Sequence, residues 1–181
     1  MKMKKLILMM AIAAAGAGGC EKRPEPLKID NALTAEEIAA GPVVFQVSRL
    51  MIKFGILDML RDHREGLTLE EIVEKTRLSR YAVQVLLESS LTIGTVLLKE
   101  ERFFLSKVGW FLLTNPMTRV NMDFNHDVNY LGMFRLEESL LNGKPEGLKV
   151  FGTWDTIYEG LSSLPEQVQK SWFGFDHFYS D

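Results

Sequence analysis

The sequence predicts a mainly α-helical fold, in which a winged helix with a small β-hairpin wing is followed by additional C-terminal helices. Thr68 and Glu71 form a capping box, in which each side chain bonds a backbone N–H group that a helix start leaves unpaired. A short helix therefore begins there and runs to about Lys75. Ser79 is an N-cap residue for the next helix, over residues 80–93. The short break between these helices is typical of a helix-turn-helix arrangement.

The predicted wing follows directly. Gly94 ends the second helix, because glycine accepts the left-handed backbone conformation that many helix ends require. Residues 95–98 and 103–106 are apolar, contain β-branched and aromatic side chains, and predict two short strands. The charged residues 99–102 join them. Helix, turn, helix and hairpin together make a winged helix.

Two further helices are predicted before the winged helix. Thr34 and Glu37 form another capping box, and the helix that begins there is expected to end near Gly41 and Pro42. Residues 43–60 then predict one helix that is apolar over most of its circumference. Such a helix needs cover on more than one side.

In a small domain, one of those sides is expected to lie against a second copy of the chain. Burial of one large apolar side chain stabilises by about 1.5–3 kcal/mol, so an uncovered apolar face favours association. Phe45, Met51 and Phe54 are the candidate residues of this homodimer interface. The alternative is a helix at the centre of the core of one chain.

The chain after Gly109 is predicted to be helical, with turns at residues 115–116 and 142–145 and a last helix that begins at Pro165. Aromatic side chains are concentrated near its end, at Trp154, Tyr158, Trp172, Phe173, Phe175, Phe178 and Tyr179. Together with Asp176 and His177 they could line a pocket for a planar substrate. The favoured alternative is a helix face that packs against a neighbouring domain.

The first 26 residues differ in kind from the rest. Three lysines among the first five residues precede an apolar run and a stretch of small residues that ends at Cys20, which is the layout of a secretory signal. Residues 1–26 are similar to a bacterial lipoprotein leader and tether, with Cys20 as the candidate lipidation site. The alternative is translation from Leu27, which makes residues 1–26 upstream sequence and the protein cytoplasmic. Membrane attachment is expected only if Cys20 is acylated.

Composition argues against several classes of function. The chain of 181 residues is 46% hydrophobic and 25% charged, with a net charge of −3, so it is globular and has no basic excess for nucleic acid. Residues 81–98 contain no Lys or Arg, which makes a winged-helix transcriptional regulator the weakest interpretation. His63, His126 and His177 are far apart, so no metal site is expected. No strand leads into a glycine turn of the nucleotide-binding type, so neither catalytic nor cofactor-binding residues are expected.

Residues 54–60, Phe-Gly-Ile-Leu-Asp-Met-Leu, resemble a segment of the dimerisation domain found in S-adenosylmethionine-dependent O-methyltransferases. Further stretches resemble that domain and its linker helices in the family's order: residues 67–72, 86–87, 93–97, 103–109, 140–143, 152–154 and 175–178. The resemblance covers about residues 29–181.

The resemblance implies a homodimer with interlocked N-terminal domains. The winged-helix dimerisation domain would cover residues 27–114, and residues 115–181 would form a helical linker that leads to a catalytic domain. In the family, aromatic residues of the linker helices help to close a substrate pocket over the methyl donor. The corresponding candidate pocket or interface residues are Trp154, Tyr158, Phe175 and Phe178.

The family's catalytic histidine and its glycine-rich donor loop lie in the domain that would follow Asp181. We therefore expect this chain to be inactive alone, with S-adenosylmethionine as the cofactor of a full-length enzyme. Two functions remain open. One is the dimerisation and pocket-closing module of a small-molecule O-methyltransferase, which meets substrate only together with a catalytic domain. The other is a stand-alone dimeric interaction protein, tethered to a membrane if Cys20 is acylated.

Overall fold

A computed structural model describes residues 29–180, with side chains from residue 34 onward. The predicted leader, the lipidation of Cys20 and the start at Leu27 lie outside the described residues. The helices and strands are α1 (Ile29–Lys53), α2 (Ile56–Asp62), α3 (Leu69–Thr76), α4 (Arg80–Ile93), β1 (Val96–Lys99), β2 (Arg102–Leu105), α5 (Lys107–Thr114), α6 (Pro116–Phe124), α7 (Leu136–Asn142), α8 (Ile157–Gly160) and α9 (Glu166–Ser180). None of the described helices has the length and apolar character to cross a membrane.

The chain divides into two compact units, the first ending at Trp110 and the second beginning at Phe111. The first unit holds α1 to α4 and the hairpin of β1 and β2, and this arrangement confirms the predicted winged helix with additional helices after it. The second unit contains α6 to α9, together with a π-helix at Asn125–Asn129 and short 3-10 segments. The predicted domain boundary between residues 114 and 115 stays a prediction.

α1 runs without interruption through Gly41 and Pro42, so the predicted helix end at these residues is wrong. Proline usually ends a helix, because it lacks an N–H group and its ring crowds the carbonyl group four residues earlier. Here that carbonyl belongs to Ile38, in an exposed stretch where water can replace the missing donor. The capping box at Thr34 and Glu37 is also wrong, because Thr34 lies inside α1.

The single helix predicted over residues 43–60 is in fact two helices, separated at Gly55. Gly55 has a φ angle of 70°, a left-handed conformation that glycine adopts without steric penalty. Its N–H group donates to the carbonyl of Ile52 at 2.9 Å, which ends α1. Its own carbonyl accepts from the N–H group of Met59 at 2.9 Å, which begins α2.

The two helix starts of the winged helix are confirmed. The hydroxyl of Thr68 accepts from the N–H group of Glu71 at 3.3 Å, and the Glu71 carboxylate accepts from the N–H group of Thr68 at 2.7 Å. The bond from the Thr68 backbone, and then the nearby Arg102 guanidinium, lower the pKa of Glu71. The Ser79 hydroxyl accepts from the N–H group of Ala82 at 3.2 Å and caps α4 in the same way.

β1 and β2 pair antiparallel, with Val96 opposite Leu105 and Lys99 opposite Arg102. On its other side, β2 is bridged by Leu67. The N–H group of Leu67 donates to the carbonyl of Phe103 at 3.0 Å, and the N–H group of Phe103 donates to the carbonyl of Leu67 at 2.7 Å. The predicted strands are therefore confirmed, and β2 has a partner on each edge, β1 on one side and Leu67 on the other.

The turn of the hairpin consists of Glu100 and Glu101, whose φ angles are 49° and 61°. A two-residue turn with two positive φ angles favours Asn-Gly, since other side chains are crowded in this conformation. Replacing both residues, Glu100→Asn with Glu101→Gly, is expected to raise the free energy of unfolding by about 1 kcal/mol. Urea denaturation measures this change.

The matched control for the turn is Glu100→Gln with Glu101→Gln, which removes both charges and keeps side chains of the same size. The glutamine pair is expected to leave the stability unchanged. Equal stabilisation by both pairs would show that charge repulsion, and not backbone conformation, limits the stability of this turn.

Gly109 lets α5 lie directly against the hairpin. A Cβ atom at this position would clash with the carbonyl oxygen of Thr95 and would lie 2.6 Å from the Leu105 side chain. The Ser106 hydroxyl joins the same segments, because it donates to the Gly94 carbonyl at 2.6 Å and accepts from the Gly109 N–H group at 3.1 Å. The start of α5 therefore depends on the absence of a side chain at residue 109.

The second unit has its own small core, formed by Val128, Leu164 and Val168. Asn115 caps α6 by accepting from the N–H group of Thr118 at 2.9 Å, and Pro116 follows in the first turn, where a missing N–H group does no harm. The predicted turn at residues 115–116 is thus confirmed.

Candidate functional site

Residues 34–43 of α1 are largely exposed to solvent in the described part of the chain. Every residue from 34 to 40 is exposed, and complete burial begins only after Gln46, where Val47 and Ser48 enter the core. Two large apolar side chains on this part are open to solvent, Ile38 (75% exposed) and Val43 (62% exposed). We call residues 34–43 the helical arm.

One apolar stripe continues from the arm along α1. Ile38, Phe45 and Ile52 follow one another at intervals of seven residues, which places them on the same side of an α-helix. Phe45 and Ile52 are half-buried, whereas Ile38 is exposed. The stripe therefore leaves the core of the first unit and becomes a surface toward the start of the helix.

The three candidate interface residues occupy different environments. Phe45 lies on the stripe, and Phe54 is exposed at the end of α1. Met51 is completely buried within its own chain, so it offers no surface to a partner and the assignment of Met51 to the interface needs correction. This part of the chain is inside the first unit, where α1 packs against both α2 and α4. A charged residue at position 51 would consequently test the core and not an interface.

The aromatic residues of the second unit form a connected series along α9. The ring of Phe175 stacks on that of Phe124 with centroids 4.0 Å apart, and it lies 4.7 Å from the ring of Tyr179. Tyr179 also meets Phe178 edge to face at 5.2 Å. Phe178 and Tyr179 are exposed, so this series has one face in the core and one face in solvent. This arrangement supports a helix face that can be covered by another body.

The remaining two pocket candidates, Trp154 and Tyr158, are not equivalent. Trp154 packs against the core of the second unit, and its ring fills the space above Gly152 and Gly160, where added Cβ atoms would clash with it. Tyr158 is exposed and meets Trp172 edge to face at 5.7 Å. Trp154 is thus held in the interior, while Tyr158 is available at the surface.

A buried carboxylate group that sequence reasoning missed lies in the π-helix. The Asp127 carboxylate accepts from the Ser171 hydroxyl at 2.5 Å and from the Gln167 amide at 2.9 Å, and it meets His126 Nδ1 at 2.6 Å. The hydroxyl and the imidazole both contact the carboxylate, and no bond joins Ser171 to His126 in the described part of the chain, so the three are not arranged as a serine–histidine–aspartate relay. The group joins the π-helix to α9. No sequence signal connects Asp127 with Ser171, which lies 44 positions further on.

A second feature that sequence reasoning missed is an exposed apolar segment around α7. Its large side chains open to solvent are Leu131, Met133, Phe134, Leu136, Leu140 and Leu141. Phe134 is the most exposed of them, at 92%. The spacing of these residues in the sequence could have indicated their exposure, since apolar residues at such irregular intervals cannot all face one core. A surface of this kind usually marks an interaction site.

The helix that would read nucleic acid in a winged-helix regulator is α4. Its exposed side chains include Tyr81 and Val85, and its one basic residue, Arg80, donates to Glu70 at 2.9 Å and to Gln84 at 3.0 Å. The expectation that this protein does not bind nucleic acid stays a prediction. Within residues 29–180, no group of three or more His, Cys, Asp or Glu side chains is arranged to hold a metal ion.

One family model matches a part of the first unit. Residues 32–103 match the family model of the Dimerisation2-like domain, a range that holds most of α1, the winged helix and the hairpin up to Phe103. This match confirms the resemblance on which the expectation of a dimerisation domain rested. The comparison with curated proteins gave no match.

Solved structures share the fold of this chain. The S-adenosylmethionine-dependent methyltransferase SibL in its apo form is 21% identical, with a TM-score of 0.70 over 81% of this chain and 44% of that one. CalO1, a methyltransferase in calicheamicin biosynthesis in its SAH-bound form, is 20% identical, with a TM-score of 0.62 over 86% and 46% of the two chains. An enzyme described as a pericyclic reaction enzyme is 14% identical, with a TM-score of 0.66 over 96% and 48%. The chain thus spans a little under half of the length of each.

Proposed function

We propose that this chain, whose residues 32–103 carry a Dimerisation2-like domain, is the dimerising half of an S-adenosylmethionine-dependent O-methyltransferase for small molecules. The observation that carries the proposal is the uncovered helical arm, residues 34–43, with exposed Ile38 and Val43. The arm supplies the surface for a second copy of the chain. In this role the chain binds no substrate until a catalytic domain is joined to it.

Helix physics supports a partner for the arm. Residues 34–43 extend about 15 Å at 1.5 Å per residue. A helix whose apolar side chains stay exposed to water is marginal, and this one contains Gly41 and Pro42, both of which lower helix stability. An apolar partner surface along Ile38 and Phe45 compensates for both residues. A second copy of the chain presents that same stripe, as a two-fold symmetric interface requires.

The second unit supports the pocket-closing part of the proposal. Tyr158 and Phe178 expose aromatic surface, and Phe175 is fixed behind Phe178 by its stack on Phe124. Exposed, positioned aromatic rings suit a lid over a planar substrate. Trp154 contributes by holding the unit together, since its ring lies in the core.

Sedimentation of the Ile38→Asp variant tests the dimer. The wild-type chain is expected to be a dimer at about 10 μM, and the substitution should raise the dissociation constant by about 30-fold, the equivalent of roughly 2 kcal/mol for a central interface residue. Because Ile38 is exposed within its own chain, the helical circular dichroism signal should be kept, apart from the contribution of the ten arm residues, which lose their partner on dissociation. Association and folding are therefore measured separately.

The matched control is Ala40→Asp, which places the same charge about 200° around the same helix. Ala40 is exposed as well, so this variant should fold and remain dimeric. A wild-type chain that sediments as a stable monomer at micromolar concentration would refute the proposed interface. Equal dissociation of both variants would show that negative charge on the arm, and not loss of the stripe, separates the copies.

S-adenosylmethionine should not bind this chain alone, because its sequence has no glycine turn of the nucleotide-binding type. Isothermal titration with the methyl donor is expected to give no heat of binding. A dissociation constant below about 100 μM, or roughly −5.5 kcal/mol, would contradict the assignment of donor binding to a separate catalytic domain.

A second candidate function is a stand-alone dimeric interaction protein. The observation that favours it is the exposed apolar segment around α7, which is a second candidate interaction surface in addition to the arm. This function is compatible with a membrane tether at Cys20, whereas a methyltransferase role places the protein in the cytoplasm. Mass spectrometry of the native N-terminus distinguishes them: an acylated Cys20 supports the tethered interaction protein, and a product that begins at residue 27 supports the enzyme module.

A further inference from the structure

A cavity in the first unit is used neither by the proposed dimer nor by pocket closure. It has a volume of about 350 Å³ and lies between the end of α2, the strand β2 and the start of α5. This volume is at the lower end of the range of small-molecule sites, about 300–1,000 Å³. Its floor is apolar, with Leu60 and Leu105, and its walls carry Phe104 and Trp110. Rings on the walls provide flat surfaces for a planar ligand.

Besides Ser106, whose hydroxyl is bonded to the backbone of Gly94 and Gly109, the polar side chains that line the cavity are basic. They belong to Arg61, His63, Arg64 and Lys107. Arg61 is neutralised, since it donates to the carboxylate of Asp58 at 2.7 Å and to that of Asp62 at 2.8 Å. Arg64 and Lys107 form no ion pair with any residue in the described part of the chain. Two positive charges therefore border an apolar cavity without a carboxylate to balance them.

The placement of Lys107 strengthens the positive potential. Lys107 is the first residue of α5, and a helix N-terminus already carries partial positive charge. A cation at this end is unfavourable within the chain and becomes favourable only when an anion lies beside it. His63 adds a polar group: its Nδ1 is bonded to the carbonyl of Met59 at 2.8 Å, so Nε2 is the nitrogen that remains for a ligand.

We propose that this cavity binds a planar aromatic small molecule with one anionic group, such as an aryl carboxylate. The ring lies against Trp110 and Phe104, and the anionic group lies between Arg64 and Lys107. The inference does not rest on the proposed dimer, because all of the lining residues belong to the first unit of one chain. It adds a ligand site that is separate from both the proposed dimer contact and the proposed lid over a substrate.

Nuclear magnetic resonance of the full chain tests this site with 2-naphthoate as the probe. The chain has three tryptophans, and the indole N–H signals of Trp154 and Trp172, in the second unit, serve as internal references. The Trp110 indole signal, assigned with Trp110→Phe, should shift and saturate while the other two stay in place. The neutral analogue 2-naphthamide, of the same shape, should bind about tenfold more weakly, because it lacks the charge-assisted contacts.

Two variants assign the anionic contact. Arg64→Gln and Lys107→Gln should each weaken naphthoate binding by about tenfold, which corresponds to about 1.4 kcal/mol. The control Lys75→Gln removes an equal charge from a residue outside this cavity and should leave binding unchanged. Equal shifts of all three indole signals, equal binding of the amide, or equal weakening by Lys75→Gln would each overturn the proposal.

Discussion

Replacing Gly109 with alanine should lower the free energy of unfolding of the first unit by about 3 kcal/mol. The added methyl group would clash with the carbonyl oxygen of Thr95 and lie 2.6 Å from Leu105. A backbone atom cannot rotate away as a side chain can, so α5 has to move from the hairpin. Overpacking of a well-filled site usually costs about 1–3 kcal/mol, and a backbone clash belongs at the upper end. Chemical denaturation followed by circular dichroism measures the loss.

The same substitution at Gly174 is the control. Gly174 lies inside α9, is exposed, and has no atom near the position of an added Cβ. Alanine is a better helix former than glycine by about 1 kcal/mol, so Gly174→Ala should stabilise the protein or leave its stability unchanged. Gly109→Ala with wild-type stability would mean that α5 lies further from the hairpin than the structure shows.

Replacing Asp127 with alanine is the other substitution with a large expected effect, a loss of about 3 kcal/mol from the second unit. The carboxylate receives hydrogen bonds from Ser171 and Gln167 and meets His126 at 2.6 Å. Hydrogen bonds to a charged group contribute about 1.5–3 kcal/mol each, and removal of the acceptor leaves the buried Ser171 hydroxyl with fewer partners. The hydrogen bonds that join the π-helix to α9 are then lost, and only apolar packing in the core of Val128 and Val168 connects them.

Asp176→Ala is the matched control, because this carboxylate is exposed on the same helix α9. Its loss should change the free energy of unfolding by less than about 0.5 kcal/mol. Thermal unfolding compares the two variants in one experiment. If Asp127→Ala were as mild as Asp176→Ala, the contacts of Asp127 would be replaceable by water and the π-helix would have another support.

The features that sequence reasoning found depend on residues close together in the chain. The Thr68–Glu71 capping box and the Ser79 cap each join residues three positions apart, so their bonds follow from local conformation. The hairpin was found for the same reason, because only Glu100 and Glu101 separate its strands. Because their contacts join residues that are close in sequence, such elements can be predicted from residue types and their spacing.

The features that were missed depend on packing between distant segments. Pro42 predicts a helix end, but α1 continues because its second half is anchored in the core and its first half leaves the freed carbonyl in water. The apolar pattern of residues 43–60 continues across Gly55, so the pattern alone does not predict that a left-handed glycine separates α1 from α2 there. The contact between Asp127 and Ser171 has no local signal at all, and Met51 is buried where α1 packs against other helices of its own chain.

The two outer edges of the hairpin differ in whether their backbone groups are paired, and this difference determines which strand could bind another molecule. The outer edge of β2 is occupied at Phe103 by the bridge to Leu67, whereas no described strand pairs with the outer edge of β1. β1 exposes Leu97 and Leu98, one on each face of the hairpin, and the unpaired backbone groups of its outer edge could accept an extended strand from another molecule. Its four-residue length and the terminal Lys99 act against such strand addition. Because the outer edge of β2 is already occupied at Phe103, any amyloid-type growth from a partly unfolded first unit would begin at the outer edge of β1.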